Sequence, residues 1–303
     1  MATDPREPQK PKEHPSTYVV EDRSNEEELD RLRIQDELIT TSMGGVLPEQ
    51  EDLARFQRIL DVGCGTGNWL VMLAQQVPTA SMLVGADVSL RMVQYAREQA
   101  QAAGVADRVE FHVMDALRML EFPRQYFDLV NQRLGLSYLR TWDWPVLLQE
   151  YKRVTRAGGV IRITECDIGV MSNTSAFNTL WDLFQDAMDR AGHLFFPQRD
   201  GVTRALEPMM HQAGILTLQT RVHQMEYHGG TREGQLFAED MRLVFRTLVP
   251  FLRKWIKVPD NYESLYRQML QEMQQPDFVA TMRLLTCWGT NPFAADKLVY
   301  DQH

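Results

Sequence analysis

The chain has 303 residues, 44% of them apolar and 24% charged, with a formal net charge of -9. These are ordinary proportions for a soluble globular protein, and no stretch approaches the roughly 18 consecutive apolar residues of a membrane-crossing helix. The acidity counts against a nucleic-acid enzyme, which needs a basic stripe to neutralise phosphates. The three cysteines, Cys64, Cys166 and Cys287, are far apart, and no metal-binding cluster is spelled out; reduced thiols in the cytoplasm are the expectation.

Residues 1–16 are rich in Pro, Lys and Glu, lack the apolar core of a signal peptide, and read as a disordered lead-in. Residues 26–43 read as a helix, with Ser24 and Glu27 spaced as a capping box. Short apolar runs then alternate with helical stretches. Strands are expected at 58–62, 81–87, 109–114, 127–132 and 159–165, with helices at 68–77, 89–103 and 144–154. Such alternation predicts an α/β fold: a mostly parallel sheet with helices on both faces. Beyond Glu165, helices are expected at 174–191, 202–212, 233–256 and 262–273, and strands at 215–227 and 278–288. That gives seven strands in all. The predicted division is an N-terminal helical segment at 17–50, a core at 51–169, a helical cap at 170–201, and completion of the sheet at 202–303 with a helical insertion near 231–275. The basic residues Arg253, Lys254 and Lys257 fall in a helical pattern beside Phe251 and Trp255 and read as a solvated face.

The first predicted strand runs into Leu60-Asp61-Val62-Gly63-Cys64-Gly65-Thr66-Gly67. Glycines let the backbone turn tightly and let a ligand approach main-chain N–H groups. The following helix offers free donors and a positive dipole end, suited to a carboxylate or a phosphate. A dinucleotide fingerprint requires its third glycine where Asn68 stands. Asp61 would face a pyrophosphate unfavourably, whereas it can accept from the amino group of a methionine moiety. Asp87 closes the second strand, where a carboxylate can accept ribose hydroxyls. Asp115 closes the third and can accept from an adenine amine. Three acids at three successive strand ends favour S-adenosylmethionine.

With these motifs the sequence resembles the class I S-adenosylmethionine-dependent methyltransferases, in particular the ubiquinone/menaquinone-biosynthesis-like small-molecule group. The matching residues are the glycine turn, Gly85-Ala86-Asp87-Val88-Ser89 with Met92, Met114-Asp115-Ala116, Phe127-Asp128-Leu129-Val130, and 150–154 leading to Arg156-Ala157-Gly158-Gly159. The resemblance implies a Rossmann-like fold. It implies cofactor contacts at Asp61, Gly63, Cys64, Gly65, Gly67, Asp87, Val88, Met92, Asp115 and Ala116, with Asn131 and Arg133 lining the methionine side. It also implies that the leading helix folds over the cofactor, with Thr17, Tyr18 or Gln35 closing the site. Two departures are noted: Ala157 stands where the group often has Pro, which should alter only a turn. Asn131-Gln132-Arg133 is more polar than in many relatives, so that Arg133 could hold a carboxylate of the cofactor or the substrate.

For the chemistry, Glu165 and Asp167 flank the end of the fifth strand, and either is a candidate base or cation stabiliser. His193 is the best histidine, as base or substrate donor. Aromatic residues and methionines from Met171 to Phe196 and from Met241 to Trp255 predict a lid for an apolar, flexible acceptor: a terpenoid, quinone-like, polyketide or other aromatic molecule, methylated at carbon or oxygen. Alternatives are a macromolecule methyltransferase acting on RNA, DNA or protein, and a cofactor-binding protein without transfer activity. The expected partners are a small-molecule acceptor and S-adenosyl-L-methionine, with S-adenosyl-L-homocysteine as product. Nucleic acid is disfavoured, no metal is expected, and a homo-oligomer remains open.

Overall fold

A computed structural model describes residues 18–20, 26–197 and 200–293. The lead-in 1–16, Thr17 and the Ser24 cap lie outside these residues. Helix α1 (Glu26–Ser42) precedes the alternating core: β1 (Arg58–Val62), α2 (Asn68–Gln76), β2 (Met82–Asp87), α3 (Leu90–Ala102), β3 (Val109–Val113), β4 (Phe127–Arg133), α4 (Trp144–Val154) and β5 (Thr155–Cys166). Then come β6 (Met171–Ser172), α5 (Ser175–Arg190), α6 (Thr203–Gln212), β7 (Leu216–His228), α7 (Arg232–Thr247), α8 (Val249–Trp255), α9 (Tyr262–Glu272) and β8 (Val279–Thr290).

The strands form one sheet in the order β3-β2-β1-β4-β5-β8, with β7 on the outer side of β8. β1 to β5 are mutually parallel, and β8 runs antiparallel to both β5 and β7. Alternate residues feed two cores: Ile59, Leu83 and Leu129 join α2 and α3 in one, and Leu60, Val84 and Val130 join α4 in the other. Strands buried on both faces explain the near-continuous apolar runs. Strand order reverses beside β1, whose neighbours are β2 and β4, so the carboxyl ends of these strands open onto the crevice where ligands of such sheets bind.

Three expectations are corrected. Among the described residues the sheet has eight strands, not seven, because Met171 and Ser172 pair with Thr281 and Ala280 of β8. The single helix expected at 233–256 is two, α7 and α8, because Pro250 carries no N–H to return to the preceding turn. Ala157 lies inside β5 rather than in a turn before it: β5 starts at Thr155, and a register shift against Phe127 and Leu129 absorbs Gly158 at φ +69°. Ser89 caps α3, its hydroxyl accepting from the Met92 N–H.

Candidate functional site

A cavity of about 310 Å³ lies over the carboxyl ends of β1 to β4. Its floor is built by the glycine turn and the strand ends; its roof comes from α1, α5 and α7. The floor contains Asp61, Gly63, Cys64, Gly65, Asp87, Val88, Met92, Asp115, Ala116 and Arg133, all of them expected from the sequence.

Each floor group has a local cause. Gly65 sits at φ +51° with open space where a Cβ would project, and its N–H is oriented by Asp87 Oδ2 at 3.0 Å. The other Asp87 oxygen accepts from the Ser89 N–H at 2.8 Å, so the start of α3 fixes the carboxylate at the edge of the cavity. Asp115 is held by the Leu117 N–H at 3.0 Å. Asp61 is buried, and burial pushes its carboxyl up to about 7, the Arg133 guanidinium pulling the other way. Burial, with Asp87 and Asp61 close by, also pushes the Cys64 thiol well above its ordinary range, so Cys64 stays protonated.

Two residues expected at the cofactor lie behind the cavity wall. Asn131 is fully buried; it donates to Asp61 Oδ1 at 2.7 Å and accepts from Arg162 at 2.8 Å, and Arg162 in turn pairs with Glu49 at 2.6 Å. It braces Asp61 from below. Gly67 starts α2 in the left-handed region, and a Cβ there would stand 2.6 Å from the Phe111 ring. Its requirement is packing and turn geometry. Arg133 does hold a carboxylate, but that of Asp36 on α1, with Thr40 as second acceptor at 3.0 Å.

None of the three expected catalytic side chains lines the cavity. Glu165 is fully buried and accepts from the Gly135 N–H at 2.7 Å, the Leu136 N–H at 3.1 Å and Gln132 at 3.0 Å. Burial pushes its carboxyl up to about 8, but its oxygens are committed to the turn after β4. It shapes that turn rather than meeting an acceptor. Asp167 pairs with Arg283 at 2.8 Å and accepts from the Thr203 hydroxyl, tying the end of β5 to β8 and α6. His193 is buried, with Nδ1 2.8 Å from the Leu136 carbonyl and its ring edge against Phe251. Burial lowers its pKa, so the ring is neutral in the core.

The roof supplies Trp181 and Phe184 of α5 and Phe237, Met241 and Val244 of α7, with Ile168 and Val170 from the segment between β5 and β6. Trp181 stacks on Phe177 at 5.7 Å and meets Phe184 edge-on at 5.6 Å. Tyr18 and Gln35, expected at this site, line the cavity, but the sequence reading missed the polar cluster to which Tyr18 belongs. Arg31 of α1 bonds both oxygens of Glu28 at 2.8 Å, Asp240 of α7 at 3.2 Å and the Tyr18 hydroxyl at 3.0 Å. Tyr18 donates to Glu28. Burial pushes the Asp240 carboxyl up to about 6 against the pull of Arg31. No local motif marks this cluster, since Arg31 and Asp240 are brought together only by the packing of α1 on α7. Tyr138, after β4, also lines the cavity and lies against Gly63, where an added Cβ would collide with its hydroxyl.

Comparison with known proteins accords with this geometry. Residues 59–159 match the family model described as a methyltransferase domain. The chain is 26% identical over 257 residues to the 27-O-demethylrifamycin SV methyltransferase of Amycolatopsis mediterranei, covering 84% of this chain and 78% of that protein. It is 32% identical over 129 residues to phosphoethanolamine N-methyltransferase 3 of Arabidopsis thaliana, a match that spans 41% of this chain and 25% of the plant protein. The fold is similar to that of geranyl diphosphate C-methyltransferase from Streptomyces coelicolor A3(2), with a TM-score of 0.51 at 12% identity over 91% of each chain. The fold is that of the class I methyltransferases, and the matched segment is similar to a methyltransferase domain. In its core segment the chain is thus similar to S-adenosylmethionine-dependent methyltransferases.

Proposed function

We propose that the protein transfers the methyl group of S-adenosylmethionine to an apolar or aromatic small molecule held under α5 and α7. The observation that carries this reading is the composition of one continuous cavity: three strand-end acids on the floor, and aromatic, methionine and aliphatic side chains in the roof. The floor suits the amino, ribose and adenine groups of the cofactor, with Asp61, Asp87 and Asp115 as acceptors, Gly63 and Gly65 allowing close approach, and Met92, Val88 and Ala116 against the adenosine. When bound, the cofactor supplies an electrophilic methyl on a sulfonium. The protein's part is alignment and exclusion of water, which by themselves lower the barrier to an in-line displacement. A hydroxyl acceptor also needs a base, and Asp240 and Glu28 are carboxylates within the roof that lie beside the apolar side chains.

The net charge of -9 and the enclosure of the cavity by one chain support a small acceptor over a nucleic acid. Among the described residues no helix is long and apolar enough to cross a membrane, and the three cysteines are free; these support a cytoplasmic location. A second reading, cofactor binding without transfer, draws support from the displacement of Glu165, Asp167 and His193 from the cavity wall. Incubation with cofactor labelled in its methyl group and a panel of terpenoid, quinol and polyketide acceptors separates the two. Label recovered in an acceptor establishes transfer; cofactor binding with no label passed to any member leaves the second reading.

A further inference from the structure

The cavity wall is strongly unbalanced in charge. Its described residues include six carboxylates, Glu28, Asp36, Asp61, Asp87, Asp115 and Asp240, against two guanidinium groups, Arg31 and Arg133. Both arginines are already engaged. Arg31 is buried between Glu28 and Asp240, and Arg133 lies against Asp36. Arg204 of α6 sits outside this wall with its guanidinium over the Phe196 ring at 4.8 Å. S-Adenosylmethionine brings two cationic groups and one carboxylate, so it offsets only part of the excess. An anionic acceptor entering the roof would find no uncommitted cation among the described wall residues, and would have to displace a carboxylate from Arg31 in a low-dielectric space. A hydroxyl has no such difficulty, because it can donate to Glu28 or Asp240 without disturbing the pairs.

We infer that the roof selects electrically neutral acceptors, and that the Tyr18–Glu28–Arg31–Asp240 cluster is the element that rejects phosphorylated ones. This rests on the proposal that the roof is the acceptor site. It assigns an uncharged substrate class, unlike the phosphorylated molecules named for the plant relative and the Streptomyces structure. The two lowest-cost changes that would reverse the rule lie on different helices: Glu28 on α1 and Asp240 on α7. Removing both charges would leave Arg31 free to meet a phosphate.

The test uses the full chain loaded with S-adenosylhomocysteine and two probes that share a tail, geraniol and geranyl diphosphate, titrated by calorimetry. Geraniol should bind at least tenfold more tightly. Equal or tighter binding of the diphosphate overturns the charge rule while leaving the roof as an acceptor site. Binding of neither probe, with S-adenosylhomocysteine bound normally, overturns the acceptor reading beneath it. In the variant Glu28→Gln/Asp240→Asn, affinity for geranyl diphosphate should rise at least tenfold while affinity for S-adenosylhomocysteine stays within twofold. A gain of binding cannot come from a chain that fails to fold. Unchanged or weaker diphosphate binding in a variant that still binds S-adenosylhomocysteine overturns the role given to the cluster.

Discussion

The floor and the roof of the cavity are built in different ways. The floor is made of short segments at the ends of adjacent parallel strands, and much of its geometry is local: Asp87 orients Gly65 and Ser89, and Asp115 holds the N–H two residues on. The roof is made of side chains from helices far apart in the chain, joined by contacts such as Arg31 with Asp240 and Phe177 with Phe245. A backbone-built site tolerates change around it and demands particular residues at a few points. A site built from packed side chains spreads its requirements over many positions, so one substitution alters stability and ligand fit together.

The largest expected effect tests whether Glu165 belongs to the framework rather than to the chemistry. Glu165→Ala leaves the Gly135 and Leu136 N–H groups and Gln132 without their buried acceptor, and should cost about 3 kcal/mol or more in denaturant unfolding. A variant of normal stability that loses turnover would restore Glu165 as a base. In the roof, Phe184→Ala should cost about 3 kcal/mol in stability and lower kcat/KM for the acceptor with little change in cofactor affinity. A parallel loss of cofactor affinity, measured by calorimetry, would erase the distinction between the two halves. On the floor, Asp87→Ala should weaken S-adenosylmethionine binding by about 1.5–3 kcal/mol, the scale of charge-assisted hydrogen bonds. Unaltered affinity would remove Asp87 from the ribose position.

A pH titration sharpens the same half. The Asp61 carboxyl titrates near 7, above its ordinary range, so it is largely protonated below that pH. Between about pH 5.5 and 7 the cofactor's α-amino group stays charged, its ordinary pKa being about 7.7–8.0. Cofactor affinity should therefore rise with pH over this window, by as much as about tenfold per unit. Asp61→Asn should flatten the profile; a wild-type affinity that does not vary with pH would count against Asp61 as the acceptor. The smallest effect is expected at the rim of the sheet. Arg283 is 40% exposed in its pair with Asp167, so solvent screens the pair, and Asp167→Asn should cost less than about 1 kcal/mol and leave turnover intact. A large fall in kcat at normal stability would return Asp167 to the catalytic site.

The same contrast explains what could be read from the chain. The floor was legible because glycine spacing, strand periodicity and acids at strand ends are local signals. Ten of the twelve expected cofactor residues line the cavity. The two that do not, Asn131 and Gly67, sit in the correct segments but face the framework. Strand alternation reveals which residues end a strand, and not which of them turns inward under a neighbour. Most elements of the sheet were legible too; β6 was missed because two residues carry no period, and the break before α8 because apolar spacing continued past Pro250. Glu165 and His193 misled for a common reason. A titratable side chain near a strand end or in a cap attracts a chemical reading, while its commitment to Gly135, Leu136 or the Leu136 carbonyl depends on a turn more than twenty residues away in sequence. Arg31 and Asp240 were invisible because their meaning exists only once α1 lies on α7.

Helix α1 has two ends of attachment: Asp36 grips the floor through Arg133 and Asn68, and Arg31 grips the roof through Asp240. A single rigid segment thus touches the surroundings of both ligands. If filling one half shifts this helix, the energy of that shift enters the affinity of the other. Linkage then requires that whatever factor the cofactor confers on the acceptor, the acceptor confers on the cofactor. The order in which the two load would be a property of α1, not of either binding surface taken alone.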